Sequence, residues 1–230
     1  MNRRLQMILN MIPDGLGAVD VGTDHGYLPV ALAQRGYPGH IFASDLRKGP
    51  LDAARRSAER ACCAEKIQFL LCDGLELCPH DKIDTIVIAG MGGDTICGIL
   101  DRAEFCYDAR YRLILQPMTH PEVLRYWLIY NGFGIEEEHI VEDRGNLYPV
   151  FSAVFGRETR LCDAELYIGS AEHLYAEPLY PQMIRRFAAS FEKKLAGVRS
   201  AVEGNRGADA AFLESILNEL KEMEDNASGS

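Results

Sequence analysis

The sequence predicts an α/β fold with a largely parallel sheet, helices on both of its faces, and a small helical domain after it. Short apolar runs alternate with helix-length segments through residues 17–132, the pattern of parallel strands joined by crossover helices. The runs at 19–21, 86–89 and 113–116 are almost wholly apolar, as in strands buried on both faces. After residue 160 there is no strand-like run, and apolar residues recur with the period of a helix.

The first half of the sheet is predicted from apolar runs that are bounded by Gly and Pro. Pro13 ends an amphipathic first helix, and Gly36 ends the second. Pro50 suits the first turn of the third helix, because no backbone N–H donor is needed there. The elements expected here are helix 1–12, strand 17–22, helix 25–36, strand 40–45, helix 49–63 and strand 66–73.

The second half repeats this alternation and then departs from it. Glycines at 90, 92 and 93 separate a buried strand from the next helix, and Gly132 ends the last helix of this part. The two final strands have no helix between them, which predicts an antiparallel hairpin at one edge of the sheet. The expected elements are strand 84–90, helix 92–105, strand 111–117, helix 120–132, and strands 133–143 and 147–156.

The chain is expected to divide into three parts. Residues 1–156 form the sheet domain, 157–225 form a helical domain, and 226–230 form a polar, disordered tail. Within the helical domain, a short helix over about 163–176 precedes two long helices. These two helices are predicted to pair as an antiparallel, coiled-coil-like hairpin around the turn GNRG.

Composition and charge limit the classes of function. The chain has 230 residues, 24 basic and 34 acidic, and a formal net charge of −10, which argues against a broadly basic nucleic-acid binder but allows a local basic patch. Its seven cysteines form no CxxC pair, so we expect neither a disulfide framework nor a metal site. No apolar stretch reaches the roughly 18 residues of a membrane span, and no signal-peptide cleavage site follows the first helix. We therefore expect a cytoplasmic protein without membrane contacts.

Unusual residues follow four successive strands, at the edge of the sheet where α/β proteins bind ligands. The first strand runs into a D-x-G-x-x-x-G loop of acids and glycines, which suits a cationic or amino-acid-bearing ligand better than a pyrophosphate. Asp45 and Asp73 end the next two strands, where carboxylates can accept ribose hydroxyls and an adenine amino group. Together these features predict a pocket for S-adenosylmethionine. The expected cofactor-binding residues are Asp20, Gly22, Thr23, Asp24, His25, Gly26, Asp45, Leu46, Asp73, Gly74, Ala89, Gly90, Met91 and Gly92.

Several sequence blocks carry a family resemblance. DVGTDHGYLP, ASDLRKGPLDAA, IAGMGG, LILQP and the later Glu142, Asp143 and Tyr148 resemble the bacterial tRNA (adenine-22-N1)-methyltransferase family in order and spacing. The motifs that carry the resemblance lie within residues 1–156. The later helices resemble the family in their type and position. The resemblance implies a Rossmann-like class I methyltransferase fold, S-adenosylmethionine as donor and tRNA as substrate. Two positions depart from the family pattern, since Met118 replaces the usual Asn after LILQP and Pro149 replaces Glu.

The resemblance and the chemistry of the reaction together select candidate residues for catalysis and tRNA binding. Tyr27 is expected near the cofactor or the target base, and His25 more as a loop-orienting residue than as a base. Residues 183–206 hold six basic against two acidic side chains, a cluster suited to phosphate contacts. The catalytic candidates are Asp24, Tyr27, Gly90 and Met91. The substrate-binding candidates are Arg3, Arg4, Gly92, Gly93, Gln116, Arg185, Arg186, Lys193 and Lys194.

Two alternatives stay open from the residues. One is a small-molecule methyltransferase on the same fold, because fold alone does not fix a substrate. The other is an interaction protein whose cofactor-binding domain is only a scaffold. The intact glycine-rich and acidic strand ends disfavour this second alternative. The partner expected is tRNA, and the protein is expected to act as a monomer.

Overall fold

The structure is a computed structural model that describes residues 2–200 and 206–228. Seven strands form one sheet in the order β3-β2-β1-β4-β5-β7-β6. Strands β1 to β5 are parallel, and β7 pairs antiparallel with both β5 and β6, which confirms the predicted hairpin edge. The strands are β1 (Gly17–Val21), β2 (His40–Asp45), β3 (Ile67–Leu71), β4 (Thr85–Gly92), β5 (Arg112–Thr119), β6 (Phe133–Asp143) and β7 (Asn146–Phe155).

Helices cover both faces of this sheet. The helices of the first part are α1 (Arg3–Met11), α2 (Tyr27–Gln34), α3 (Lys48–Arg60), α4 (Gly93–Asp101) and α5 (Pro121–Tyr130). Neighbouring residues of β4 alternate between two cores, because successive strand side chains point to opposite faces. Ile86 and Ile88 pack in the core under α4 and α5, whereas Val87 packs in the core under α1, α2 and α3.

The remaining helices pack on the hairpin edge of the sheet. They are α6 (Asp163–Ile168), α7 (Ala171–Leu174), α8 (Tyr180–Ser200) and α9 (Arg206–Ser228). Ion pairs from Arg185 to Glu224 and from Arg199 to Glu214 show that α8 and α9 run antiparallel, as predicted. Ile140 of β6 belongs to the same apolar core as these helices.

The helical part differs from the expectation in two places. The single short helix expected over 163–176 is two helices, because Gly169 at φ +100° takes a conformation that no helix allows. Helix α9 continues through Ser228, so residues 226–228 are helical and not a disordered tail. Residues 201–205, which hold part of the expected turn, and 229–230 lie outside the described residues.

A buried ion pair joins the helical part to the sheet. The guanidinium of Arg125 on α5 donates to Glu138 on β6 at 2.9 Å, and both side chains are almost completely buried. The same guanidinium donates to the carbonyls of Leu166 and Tyr167 at the end of α6, while the Glu138 carboxylate accepts from the Ser170 N–H. These contacts hold α6 and the start of α7 against the sheet, because removing one partner of a buried ion pair is costly.

No helix among the described residues is long and apolar enough to cross a membrane.

Candidate functional site

Two adjoining cavities open at the carboxyl ends of the parallel strands. The larger cavity, about 540 Å³, lies over β1, β2 and β4, and the smaller one, about 310 Å³, lies between α1, the loop after β1, and β5. They share four lining residues, Gly22, Asp24, Ala89 and Gly90. A ligand in one cavity would therefore lie next to a ligand in the other beside these four residues.

The larger cavity collects most of the residues that the sequence assigned to a cofactor. Nine of them line it, namely Gly22, Asp24, Asp45, Leu46, Asp73, Gly74, Ala89, Gly90 and Met91. Three others, Asp20, Thr23 and His25, line the smaller cavity. Gly26 and Gly92 line neither. A Cβ on Gly26 would lie 2.8 Å from the Cβ of Ala54, so this glycine lets α2 pack closely on α3.

Gly92 and Gly93 have a packing role at the start of α4. A Cβ on Gly93 would lie 2.2 Å from the carbonyl oxygen of His120, and one on Gly92 would lie 3.0 Å from the Thr119 hydroxyl. The sequence assigned both glycines to substrate binding, yet neither lines the larger or the smaller cavity. Their contacts hold α4 against the end of β5.

Asp45 ends β2 with a carboxylate whose position is fixed by backbone donors. The Arg47 N–H donates to Asp45 Oδ1 at 2.9 Å, and the Asp24 N–H donates to Oδ2 at 3.4 Å. The loop after β1 is itself fastened to β2, because Gly22 and Thr23 both donate to the Ser44 carbonyl. Such a preorganised carboxylate can accept a pair of neighbouring hydroxyl groups.

The far end of the larger cavity holds residues that the sequence analysis missed. Arg102 follows α4 and pairs with Asp73 at 3.1 Å, and Ile99 of α4 also lines this cavity. Leu46 lines this cavity and is 65% exposed, which leaves an apolar face for a planar ring. Arg102 had no sequence signal, since a lone arginine after a helix is ordinary and only the packing of α4 brings it to Asp73.

Two glycines shape the junction of the cavities. Gly22 has φ +72°, and a Cβ there would lie 2.1 Å from Met91 Cε. Gly90 has φ +78°, and a Cβ there meets no protein atom within 4 Å. A side chain on Gly90 would therefore project into open space where the two cavities meet.

Asp20 places a buried carboxylate at the smaller cavity. Burial raises the pKa of Asp20 to about 6; the negative charge of Asp45 adds to this, and the nearby Thr23 hydroxyl opposes it. An ionised carboxylate that has lost its hydration favours a cation as its neighbour. The smaller cavity is thus suited to a ligand that carries or develops positive charge.

The raised pKa of Asp20 predicts a specific stability change for Asp20→Asn. Because the folded chain holds this proton more tightly than the unfolded chain, ionisation of Asp20 opposes folding above pH 6, and stability increases as pH falls from 6 toward 4. The shift corresponds to roughly 3 kcal/mol at neutral pH. Asp20→Asn should increase the free energy of unfolding in urea at pH 7.5 by up to that amount and by roughly a third of it at pH 4.5, where the carboxyl of the unfolded chain is still largely ionised.

The exposed Asp14 offers a matched control for that measurement. Asp14→Asn removes the same charge from solvent and should leave the unfolding free energy within about 0.5 kcal/mol of the parent. An Asp20→Asn variant that is less stable than the parent at pH 7.5 would show that the carboxylate is stabilised by contacts and not strained by burial.

Aromatic and charged groups form the rim of the smaller cavity. Tyr27 begins α2 and exposes 56% of its surface, and its ring lies 5.5 Å from the ring of His25. His25 in turn lies 3.6 Å from the carboxylate of Asp24, a residue held at φ +48°. The exposed tyrosine ring offers a stacking surface beside the cavity.

The predicted substrate-binding residues fall in different places. Arg4 and Gln116 line the smaller cavity, whereas Arg3 is exposed in a separate groove beside β6. Four basic residues, Arg185, Arg186, Lys193 and Lys194, are exposed on α8. Arg186 donates to the Gly145 carbonyl at the β6–β7 turn, which places this part of α8 near Asp143, the ion-pair partner of Arg4.

Within the described ranges, no three His, Cys, Asp or Glu side chains are grouped so as to hold a metal ion.

Comparisons with known proteins give consistent matches. A family model described as a methyltransferase domain matches residues 1–151. The tRNA (adenine(22)-N(1))-methyltransferase of Bacillus subtilis is 31% identical over 225 residues, covering 98% of this chain and 93% of that protein. The crystal structure of B. subtilis TrmK superposes with a TM-score of 0.86 at 26% identity, covering 97% of this chain and 98% of that one. Streptococcus pneumoniae Sp1610, solved with S-adenosyl-L-methionine, superposes with a TM-score of 0.82 at 29% identity, covering 97% and 99%.

Proposed function

Since this chain belongs to the tRNA (adenine-22-N1)-methyltransferase family, we propose that it transfers a methyl group from S-adenosylmethionine to nitrogen-1 of adenine 22 in tRNA. The fold is the Rossmann-like fold of class I methyltransferases, with the helical part at its carboxyl terminus. The observation that carries the proposal is the pair of cavities that meet at Gly90, one lined for a nucleoside and one open to a second ring.

The larger cavity fits the cofactor by size and by donor set. Asp45 would accept the two ribose hydroxyls, Asp73 the adenine amino group, and Leu46 would cover the adenine ring. Gly22 and Asp24 line this cavity and would face the amino-acid end, where the Asp24 carboxylate suits an ammonium. S-adenosylmethionine supplies a methyl group on a positively charged sulfur, which makes that carbon electrophilic.

The smaller cavity would hold the target base. Nitrogen-1 of adenine has an in-plane lone pair, so the chain needs no general base and must mainly align the reacting atoms, which is worth roughly 7–11 kcal/mol. Tyr27 would stack on the base after it leaves the helix of the tRNA, and this extrusion costs a few kcal/mol. Asp20 and Asp24 would favour the positive charge that the methylated ring carries.

Contacts to the rest of the tRNA would come from the basic face of α8. Arg185, Arg186, Lys193 and Lys194 are exposed there, and Arg186 lies at the turn of the hairpin edge. Phosphate contacts of this kind give affinity without reading sequence and weaken as salt rises. We place the protein in the cytoplasm, where a tRNA substrate is found. We also propose that it acts as a monomer, because one chain supplies both cavities.

The test uses unmodified tRNA that carries adenine at position 22. The purified chain with S-adenosylmethionine should produce a reverse-transcription stop at that position, since a methyl on nitrogen-1 blocks base pairing. A tRNA with guanine at position 22 is the matched control and should give no stop. Methylation at another position would contradict the assigned specificity, and methylation of a small metabolite alone would favour the small-molecule alternative.

A further inference from the structure

We propose that Arg4 is a positioning residue that holds Gln116 in place on the wall of the base cavity, and that it is not a phosphate-binding residue. The proposal rests on the proposed function, because it concerns the cavity that would receive the target base. It replaces the role that the sequence suggested for Arg4, which was to bind tRNA together with Arg3.

The guanidinium of Arg4 joins α1 to three strands. Its Nη1 donates to Gln116 Oε1 at 2.6 Å and to Met118 Sδ at 3.0 Å, both at the end of β5. Its Nε donates to Asp143 on β6 at 3.1 Å, and its Cζ lies 5.2 Å from the ring centre of Tyr148 on β7. Arg4 therefore links four elements at a single point beside the smaller cavity.

These contacts decide which way the Gln116 amide points. An arginine side chain has donors only, so the oxygen of the amide must face Arg4 and its nitrogen must face away. The other contacts agree, since Gln116 Nε2 donates to the Pro117 carbonyl at 2.8 Å and approaches Met118 Sδ at 3.7 Å. Gln116 is completely buried at the cavity wall, so its polar atoms depend on these partners.

Without Arg4, the Gln116 side chain in the cavity wall would lose its main anchor. The Gln116 oxygen would be left buried without a donor, which is costly, and the amide would rotate to seek a new partner. Rotation about the last bond of glutamine has only a shallow preference, so the amide would be held only through its nitrogen, by the Pro117 carbonyl and Met118 Sδ. The amide would rotate toward the smaller cavity, where the space is open. There it would shift the base from the geometry needed for methyl transfer.

Arg3 and Arg4 differ in what their charges can do. The Arg4 side chain is 19% exposed and pairs with Asp143, so its charge is largely balanced within the chain. Arg3 is exposed, and its groove does not belong to either cavity of the site. The pairing of Arg4 with Asp143 also matters for the reaction, because an unpaired guanidinium there would oppose the positive charge that forms on the base.

The central experiment compares Arg4→Lys, Arg4→Ala and Arg3→Ala by steady-state kinetics with tRNA at two salt concentrations. A lysine keeps the charge but lacks the forked guanidinium with its several N–H donors, so it cannot reach Gln116, Met118 and Asp143 together. Both Arg4 variants should lose about 10- to 100-fold in kcat, with less than about a threefold change in KM for tRNA and an unchanged salt dependence. Arg3→Ala removes an equal charge from the neighbouring position and measures any general effect of charge on tRNA affinity.

A double-mutant cycle tests whether Arg4 acts through Gln116. If it does, adding Arg4→Ala to Gln116→Ala should reduce kcat by less than about threefold beyond Gln116→Ala alone. Full kcat in Arg4→Lys would overturn the proposal, and so would a higher KM with a weaker salt dependence in Arg4→Ala. Additive losses in the cycle would also overturn it.

Two further measurements separate positioning from general damage and from failure of the proposed function. Affinity for S-adenosylhomocysteine, measured by calorimetry, should stay within about twofold in the Arg4 variants, because Arg4 does not line the larger cavity. A large loss of that affinity, together with a lower melting temperature, would assign Arg4 a structural role and contradict the proposal. If the parent chain itself fails to methylate tRNA, the proposed function fails and the Arg4 variants are not the cause.

Discussion

Gly90→Ala is expected to reduce kcat/KM for tRNA methylation by at least about 100-fold while the protein stays folded. The added methyl group would occupy the space where the two cavities meet, since a Cβ at this residue meets no protein atom within 4 Å. Reacting atoms must approach to about 3–3.5 Å, and a misplacement near 1 Å can cost about 100-fold. Steady-state kinetics with saturating cofactor would measure the loss.

Gly36→Ala is the matched control for this variant. Gly36 has φ +77° against +78° for Gly90, and a Cβ there also meets nothing within 4 Å, but Gly36 lies at the end of α2 away from both cavities. Both variants should lose about 1 kcal/mol of stability from the left-handed backbone, and only Gly90→Ala should lose activity. Equal activity in the two variants would show that the reacting groups do not meet at Gly90.

Arg125→Leu is expected to destabilise the protein by about 3–5 kcal/mol, because it leaves the Glu138 carboxylate buried without its counter-charge. It also removes the donor to the Leu166 and Tyr167 carbonyls at the end of α6. For a chain of this length the loss corresponds to a melting temperature lower by roughly 10 °C. Thermal unfolding followed by circular dichroism would measure it.

An exposed arginine–glutamate pair serves as the comparison. Arg199 donates to Glu214 at 2.6 Å, but both side chains are about half exposed, so Arg199→Leu should cost less than about 1 kcal/mol. Adding Glu138→Leu to Arg125→Leu should recover part of the loss, since the unpaired buried charge is then removed. A loss in Arg125→Leu as small as that in Arg199→Leu would mean that the helices do not depend on the buried pair.

The sequence was sufficient for the sheet, its hairpin edge and the pair of long helices. Apolar runs such as 86–89 and stops such as Gly36 and Gly132 act over a few residues, so their effect is visible without the rest of the chain. The same holds for Asp45 and Gly90, because parallel strands bring the residues after them to one edge whatever packs around the sheet. The sequence misjudged the short helix near Gly169 and the length of α9, where local signals were weak.

The tertiary structure decided which of the candidate residues touch the site and what holds them. Arg102 pairs with Asp73 from a helix that the sequence could not orient, and Gly26 and Gly93 turn out to permit close packing of helices. Arg3 and Arg4 are neighbours of one type in the sequence, yet only Arg4 meets Gln116 and Asp143, which lie 112 and 139 positions away. The physical reason is that contacts between distant segments depend on how the helices rotate and pack on the sheet. A sequence pattern shows which face of a helix or strand is buried, but it does not show which residue packs against that face.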